Sequence, residues 1–255
     1  MRRSVTALAI ALCLAGCANP AGTTEDGTRA PRQERPPLGL FTTLPILWNE
    51  TDSFDDLLTD KDTGTNPVRA VLEERYDLRP LDYLDKAALA SLDHVMLAQP
   101  RALSPEENVA MDDWVRAGGT AILFADPLLT SHSRYALGDP RRPQDVTLLS
   151  PILARWGLQL VFDPEQREGE REANLFGALV PVDMAGQFRG IRASSIGENT
   201  GSPCEPERGI AVACRIGKGW VLAVADAAML QPHDATNDDL TAFGTLLDAL
   251  ERVRR

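Results

Sequence analysis

Two aspartates close apolar runs in this chain: Thr120 to Ala125 is followed by Asp126, and Trp220 to Ala225 by Asp226. If these runs are strands of an open α/β sheet, both carboxylates stand beyond strand carboxyl ends, where such sheets place their ligand sites. His132 follows within Thr130-Ser131-His132-Ser133-Arg134. Asp126, His132 and Asp226 are therefore the candidate ligand contacts, and a carboxylate with an imidazole could activate water for hydrolysis. His94 opens an apolar run and reads as a partly buried structural residue. His233-Asp234 ahead of Asn237-Asp238-Asp239 could be drawn as a metal site, but no HxxxH or HxH spacing occurs. A capped helix start with acidic residues at its positive end accounts for the same residues. The acidic run Glu50 to Asp62 lacks the frame of a calcium loop. It reads, like Asp163 to Glu172, as a solvated surface segment. No G-x-x-x-x-G-K-[ST] loop is present, so nucleotide hydrolysis by that route is not expected. No metal and no cofactor is assigned.

The compartment follows from the amino terminus. Arg2 and Arg3 precede an apolar stretch from Val5 to Leu14, too short to span ~30 Å of hydrocarbon as a helix. A basic start, a short apolar run and a small-residue end describe an export signal. Leu14-Ala15-Gly16-Cys17 resembles the lipobox of bacterial lipoproteins, which implies cleavage before Cys17 and a lipid on its thiol. The expected division is a signal peptide over 1–16, an acylated Cys17 with a disordered tether over 17–37, and one α/β domain over 38–255. The tether is rich in Pro, Gly, Thr and charge and has no apolar periodicity, so it cannot bury enough surface to fold. Ala18 after Cys17, where Asp would favour retention, points mildly to the outer membrane. Cys204 and Cys214, ten positions apart, read as a disulfide in an oxidising compartment. Neither sits on a Gly-flanked strand-to-helix elbow near a His, as a nucleophilic Cys would.

Of 255 residues, 44% are apolar and 25% charged, enough for an ordinary core, and the net charge is −11. An acidic surface repels phosphate backbones, so no nucleic-acid partner is expected. The elements that would position the aspartates alternate in type. Leu38 to Phe41, Leu78 to Leu81 and His94 to Ala98 read as strands, and a helix starts at Asn66-Pro67 with Val68, Val71 and Leu72 on one face. Ser104-Pro105-Glu106-Glu107 supplies an N-cap, a Pro at the first position and a capping-box Glu for a helix through Val115. In that helix Val109, Trp114 and Val115 are expected to be buried. Gly118-Gly119 then ends it before the strand Thr120 to Ala125. Leu148 to Trp156 reads as a helix and Leu158 to Phe162 as a strand. Ile210 to Ile216 and Trp220 to Ala225 form an expected β-hairpin around Gly217-Lys218-Gly219. A last helix runs from about Asp238 to Arg252, with Asn237 as its cap.

The stretch ALSPEENVAMDDWVRAGGTAILFADPLL at Ala102 to Leu129, with IGKGWVLAVADAAML at Ile216 to Leu230, resembles the periplasmic domain of the GldG-like, uncharacterised ABC-type transport-system family. The resemblance implies a doubly wound, mostly parallel, flavodoxin-like sheet of the class I glutamine-amidotransferase-like group, closed by the C-terminal hairpin and helix. It also implies a role in the cell envelope beside an ABC transporter, although members are commonly anchored by transmembrane helices where this chain has a lipobox. A glutaminase of that fold needs a Cys on the elbow after the central strand. Here Gln99-Pro100-Arg101-Ala102 follows that strand, with no nucleophile. The expected protein is therefore a non-catalytic, lipid-anchored accessory that binds transporter subunits or another envelope component. A periplasmic hydrolase using Asp126 and His132, and a purely structural envelope protein, are the alternatives.

Overall fold

Residues 35–48, 66–131, 133–191, 209–231 and 237–254 are described by the computed structural model. Cys17, the tether up to residue 34, the acidic run, His132, Cys204 and His233 lie outside them. The central sheet has the order β2-β1-β3-β4-β10-β9. Its strands are β1 (Pro37–Thr42), β2 (Asp77–Pro80), β3 (His94–Ala98), β4 (Thr120–Phe124), β9 (Ala211–Ile216) and β10 (Gly219–Val224). All neighbours run parallel except β9, which is antiparallel to β10. With β10 as the fifth parallel strand, this is the doubly wound order of flavodoxin-like sheets. β3 and β4 are buried at every position, as central parallel strands covered on both faces must be.

The covering helices form where the sequence signals lie. α1 (Pro67–Arg75) is capped by Asn66, whose side chain accepts from the Arg69 N–H at 3.1 Å and donates to the Pro45 carbonyl at 2.8 Å. α2 (Lys86–Leu89) is a single turn capped by Asp85. In α3 (Pro105–Ala117) the capping box is complete, because Ser104 accepts from the Glu107 N–H and Glu107 accepts from the Ser104 N–H. α4 is shorter than expected, Ser150–Arg155, since Leu148 is 58% exposed and gives the first turn nothing to bury. α5 (Asn237–Arg254) includes Asn237. One face of the sheet packs Leu40, Met96, Ile122 and Leu222 against Val68 and Leu72 of α1 and Phe243, Leu246 and Leu250 of α5. The other packs Val95, Leu97, Ala121 and Val221 against Met111 and Val115 of α3 and Ile152 and Leu153 of α4.

The expected stripe on α3 needs correction. Val109 is 44% exposed, and the inward positions are Asn108, Met111, Asp112 and Val115, spaced i, i+3, i+4, i+7. Two of these four are polar, which hid the period. The Asn108 amide nitrogen donates to the Leu103 and Ser104 carbonyls, and Asp112 is paired with the guanidinium groups of Arg116 and Arg155.

Two small ribbons intervene between β4 and β9. β5 (Leu158–Val161) pairs with β8 (Gln187–Gly190), and β6 (Arg171–Leu175) with β7 (Ala178–Val182), all antiparallel. β6, β7 and β8 were not anticipated, and Arg171 and Glu172, expected in a surface segment, open β6. The β6–β7 turn is Phe176-Gly177, both with positive φ (53° and 89°), the backbone of a tight hairpin built without the usual Asn-Gly pair.

Candidate functional site

The carboxyl ends of β1, β3, β4 and β10 bring together Thr43, Gln99, Asp126 and Asp226. Gln99 occupies the position directly after the central strand and has a left-handed backbone, φ 43°. A strained residue at that position would carry a nucleophile in a hydrolase of this architecture. Here it carries an amide that is fully committed. Its Nε2 donates to the Gln144 carbonyl at 2.8 Å and the Asp126 carbonyl at 3.1 Å. Its Oε1 accepts from the Asp126 N–H at 2.8 Å and the Thr147 hydroxyl at 3.0 Å. The Thr43 hydroxyl accepts from the Gln144 N–H at 3.1 Å, and the Thr147 N–H donates to the Asp126 carbonyl. The segment after β4 is thereby tied down where a ligand of an open sheet would enter.

Asp126 and Asp226, named separately in the sequence, are neighbours because β4 and β10 pair with Phe124 opposite Val224. Asp126 accepts from the Leu128 N–H at 2.9 Å and, through its other oxygen, from the Ala227 N–H at 3.2 Å. Asp226 accepts from the Ala228 N–H at 2.8 Å and the Asp183 N–H at 2.9 Å. Each carboxylate so closes its own turn and holds a second segment. Burial pushes the Asp126 carboxyl up to about 6, against the lowering pull of its two amide donors, with the Asp183 charge adding to the rise. Asp226 is raised well above the ordinary range, first by burial and then by the Asp126 charge. The two charges repel each other through space, but exposures of 1% and 0% leave no face for a substrate.

The described residues contain no group of three His, Cys, Asp or Glu able to hold a metal ion. His132 lies outside them, so its place beside Asp126 rests on sequence. Cys214 is buried on β9 opposite Val221, while Cys204 lies outside the described residues. His94 sits at the opposite end of the sheet, 5% exposed, with Nε2 3.1 Å from Glu251 Oε1. The Tyr76 hydroxyl donates to that same oxygen at 3.3 Å.

Sequence reasoning missed the hub at Glu107. Arg101 makes a two-pronged pair with it, Nη1 to Oε2 and Nη2 to Oε1, both 2.8 Å, while the Leu84 N–H donates to Oε1 at 3.2 Å. The guanidinium lies 4.8 Å from the Phe41 ring centroid and 5.6 Å from that of Tyr83. The capping box was visible in the sequence; the cation that joins it was not.

A family model described as ABC-type uncharacterized transport system matches residues 35–164. No curated protein matches the chain. Among solved structures, the exo-beta-1,4-mannosidase Op5Man5 from Opitutaceae bacterium strain TAV5 is 10% identical, with a TM-score of 0.43, over 87% of this chain and 34% of that one. The chain thus spans about a third of that enzyme. The mmIFT52 N-terminal domain is 14% identical (TM-score 0.49; 85% of this chain, 96% of that one). The cytoplasmic protein STM1381 from Salmonella typhimurium LT2 is 13% identical (TM-score 0.39; 86% and 99%).

Proposed function

The chain belongs to the ABC-type uncharacterized transport system family, and from that premise we propose that it is a non-catalytic, lipid-anchored accessory of an ABC-type transport system, facing the periplasm. The observation that carries the non-catalytic part is the closure of the strand ends. Gln99 spends both donors and both lone pairs on the protein, and both oxygens of Asp126 and of Asp226 accept backbone N–H groups. Groups so engaged stabilise turns, and their burial leaves no open face for a reacting atom. The accessory part rests on the family, and the anchor on Cys17 and its flanking motif. The partner is a subunit of the transporter or another envelope component.

In-cell crosslinking of the full chain with its native amino terminus, followed by recovery from membranes, tests the reading. Permease or ATPase subunits of a transporter should be recovered; their absence across repeated experiments counts against it. Cys17→Ala should move the protein from the membrane to the soluble periplasmic fraction, and persistence in the membrane would disprove the anchor. In the hydrolase alternative Asp126→Asn abolishes a measurable hydrolytic activity without loss of thermal stability.

A Cys204–Cys214 bridge is part of the same proposal, since an exported domain can keep it oxidised. Closing so short a loop stabilises by about 2 to 3 kcal/mol in the chain-entropy model. Reduction should lower the unfolding midpoint modestly, and two free thiols in the non-reduced protein by mass spectrometry would refute the pairing.

A further inference from the structure

A cleft of about 420 Å3 opens between the outer side of the β5–β8 ribbon, the turn after β5 and the first residue of β6. On β8 the side chains alternate: Phe188 is fully buried in the core, so Gln187 and Arg189 face outward together, and both are exposed. Arg171, at the start of β6, lines the same cleft, as do Asp163, Gln166 and Phe162. The wall is held in place, because Gln166 Nε2 donates to the Asp163 carbonyl at 3.1 Å and to the Ala185 carbonyl at 3.0 Å.

The two arginines are what distinguishes this cleft. Several other surface guanidinium groups of this acidic chain meet carboxylates, as Arg69 meets Glu73 and Arg142 meets Asp145. Among the described residues neither the Arg171 nor the Arg189 side chain has a hydrogen bond or an ion pair. Two unpaired guanidinium groups on one cleft offer planar forks of donors that match an oxyanion. The volume lies within the ~300–1,000 Å3 of small-ligand sites, far beyond what a bare inorganic anion fills. The remaining lining is mixed: the carboxylate of Asp163, the Gln166 Oε1 and the Gln187 amide suit hydroxyl groups, and the Phe162 ring suits a C–H face. Arg171, Gln187 and Arg189 all lie beyond residue 164, outside the segment that matches the family.

We propose that this cleft binds a small carboxylate-bearing polyol, a uronic-acid sugar in chemical class, with Arg171 and Arg189 on the carboxylate. The site goes beyond the accessory role and does not depend on it. Isothermal titration of the full chain with glucuronate, glucose and inorganic phosphate tests it. Glucuronate should bind saturably, and glucose, which lacks the carboxylate, at least about tenfold more weakly. Arg171→Gln and Arg189→Gln should each weaken glucuronate about tenfold, the lost share of a charged hydrogen-bonded contact. The unfolding midpoint should not change, because both side chains are exposed and unpaired. Absence of saturable glucuronate binding, or binding that survives the double substitution, overturns the proposal. Phosphate binding as tightly as glucuronate overturns the sugar assignment.

Discussion

Glu107 at the start of α3 and Asp126 after β4 are both buried carboxylates, 5% and 1% exposed, and both accept backbone N–H groups. Their acidities nevertheless move in opposite directions. Hydrogen bonds from Arg101 hold the Glu107 carboxyl below the usual range, outweighing burial. Asp126 has no cation beside it among the described residues, and burial, with the Asp183 charge, raises it to about 6. Asp226 next to it is raised further by the Asp126 charge. The presence of a counter-charge, more than the depth of burial, sets the sign. The first region is a brace whose charge its cation favours; the second is a pair of turn locks whose charge burial disfavours.

The largest expected break in this comparison is Gln99→Leu. It strands the buried Asp126 N–H and takes the partner from the part-buried Thr147 hydroxyl and Gln144 carbonyl, while the Asp126 carbonyl keeps the Thr147 N–H; each unsatisfied buried group costs about 1 to 3 kcal/mol. With partial relaxation the total should be about 4 kcal/mol by urea unfolding. A loss under about 1 kcal/mol would show that the strand-end network does not hold the loop.

Next comes Arg101→Leu, which leaves Glu107 buried without its cation. Removing one partner of a fully buried pair costs about 3 to 5 kcal/mol, but the Arg101 side chain is 37% exposed and solvent screens part of the effect, so about 2 kcal/mol is expected. The variant should also raise the Glu107 carboxyl, which carboxyl-resolved NMR titration would follow. An unchanged titration would mean that the amide donors alone keep it acidic.

The smallest effect is the pH profile. Asp126 titrates higher folded than unfolded, so its charge opposes folding above about pH 6, and that penalty fades as pH falls toward about 4. Between about pH 7 and about pH 5 the fold should gain about 1 kcal/mol from this group. Glu107 acts with the reverse sign: its stabilisation is complete above its unfolded value and is lost as pH falls through its lower folded value. Stability should therefore rise on mild acidification and fall on stronger acidification. Asp126→Asn should reduce the rise, leaving the share that Asp226 contributes through its own burial, and a steady decline from neutral pH in the unsubstituted protein would contradict the assignment.

Much of the frame was legible locally. Asn66-Pro67 and Ser104-Pro105-Glu106-Glu107 announce α1 and α3 because a cap acts on N–H groups two or three residues away. The apolar runs ending at Asp126 and Asp226 read as buried strands because parallel strands covered on both faces carry little polar alternation. The β6–β7 hairpin escaped notice because its turn is Phe-Gly and its register is imposed by packing of Val180 and Val182 on the core. The stripe of α3 was hidden because Asn108 and Asp112 are polar, and Asp112 is acceptable inside only with a partner as distant as Arg155.

What the amino-acid sequence determined by itself was therefore the chain order of the central-sheet strands and their longer helices, the strand-end position of Asp126, Gln99 and Asp226, and the hairpin around Gly217-Lys218-Gly219. Tertiary structure decided what those residues do. Gly217 takes φ 61°, as a turn demands, but Gly219 is a glycine because a Cβ there would strike the carbonyl oxygens of Val115 and Gly119 at the end of α3. Likewise Asp126 and Asp226, a hundred residues apart, become a coupled pair only because β10 adds beside β4 with Val224 opposite Phe124. Coulombic coupling, desolvation and hydrogen-bond saturation depend on distances through space, and these exist only once the sheet has assembled.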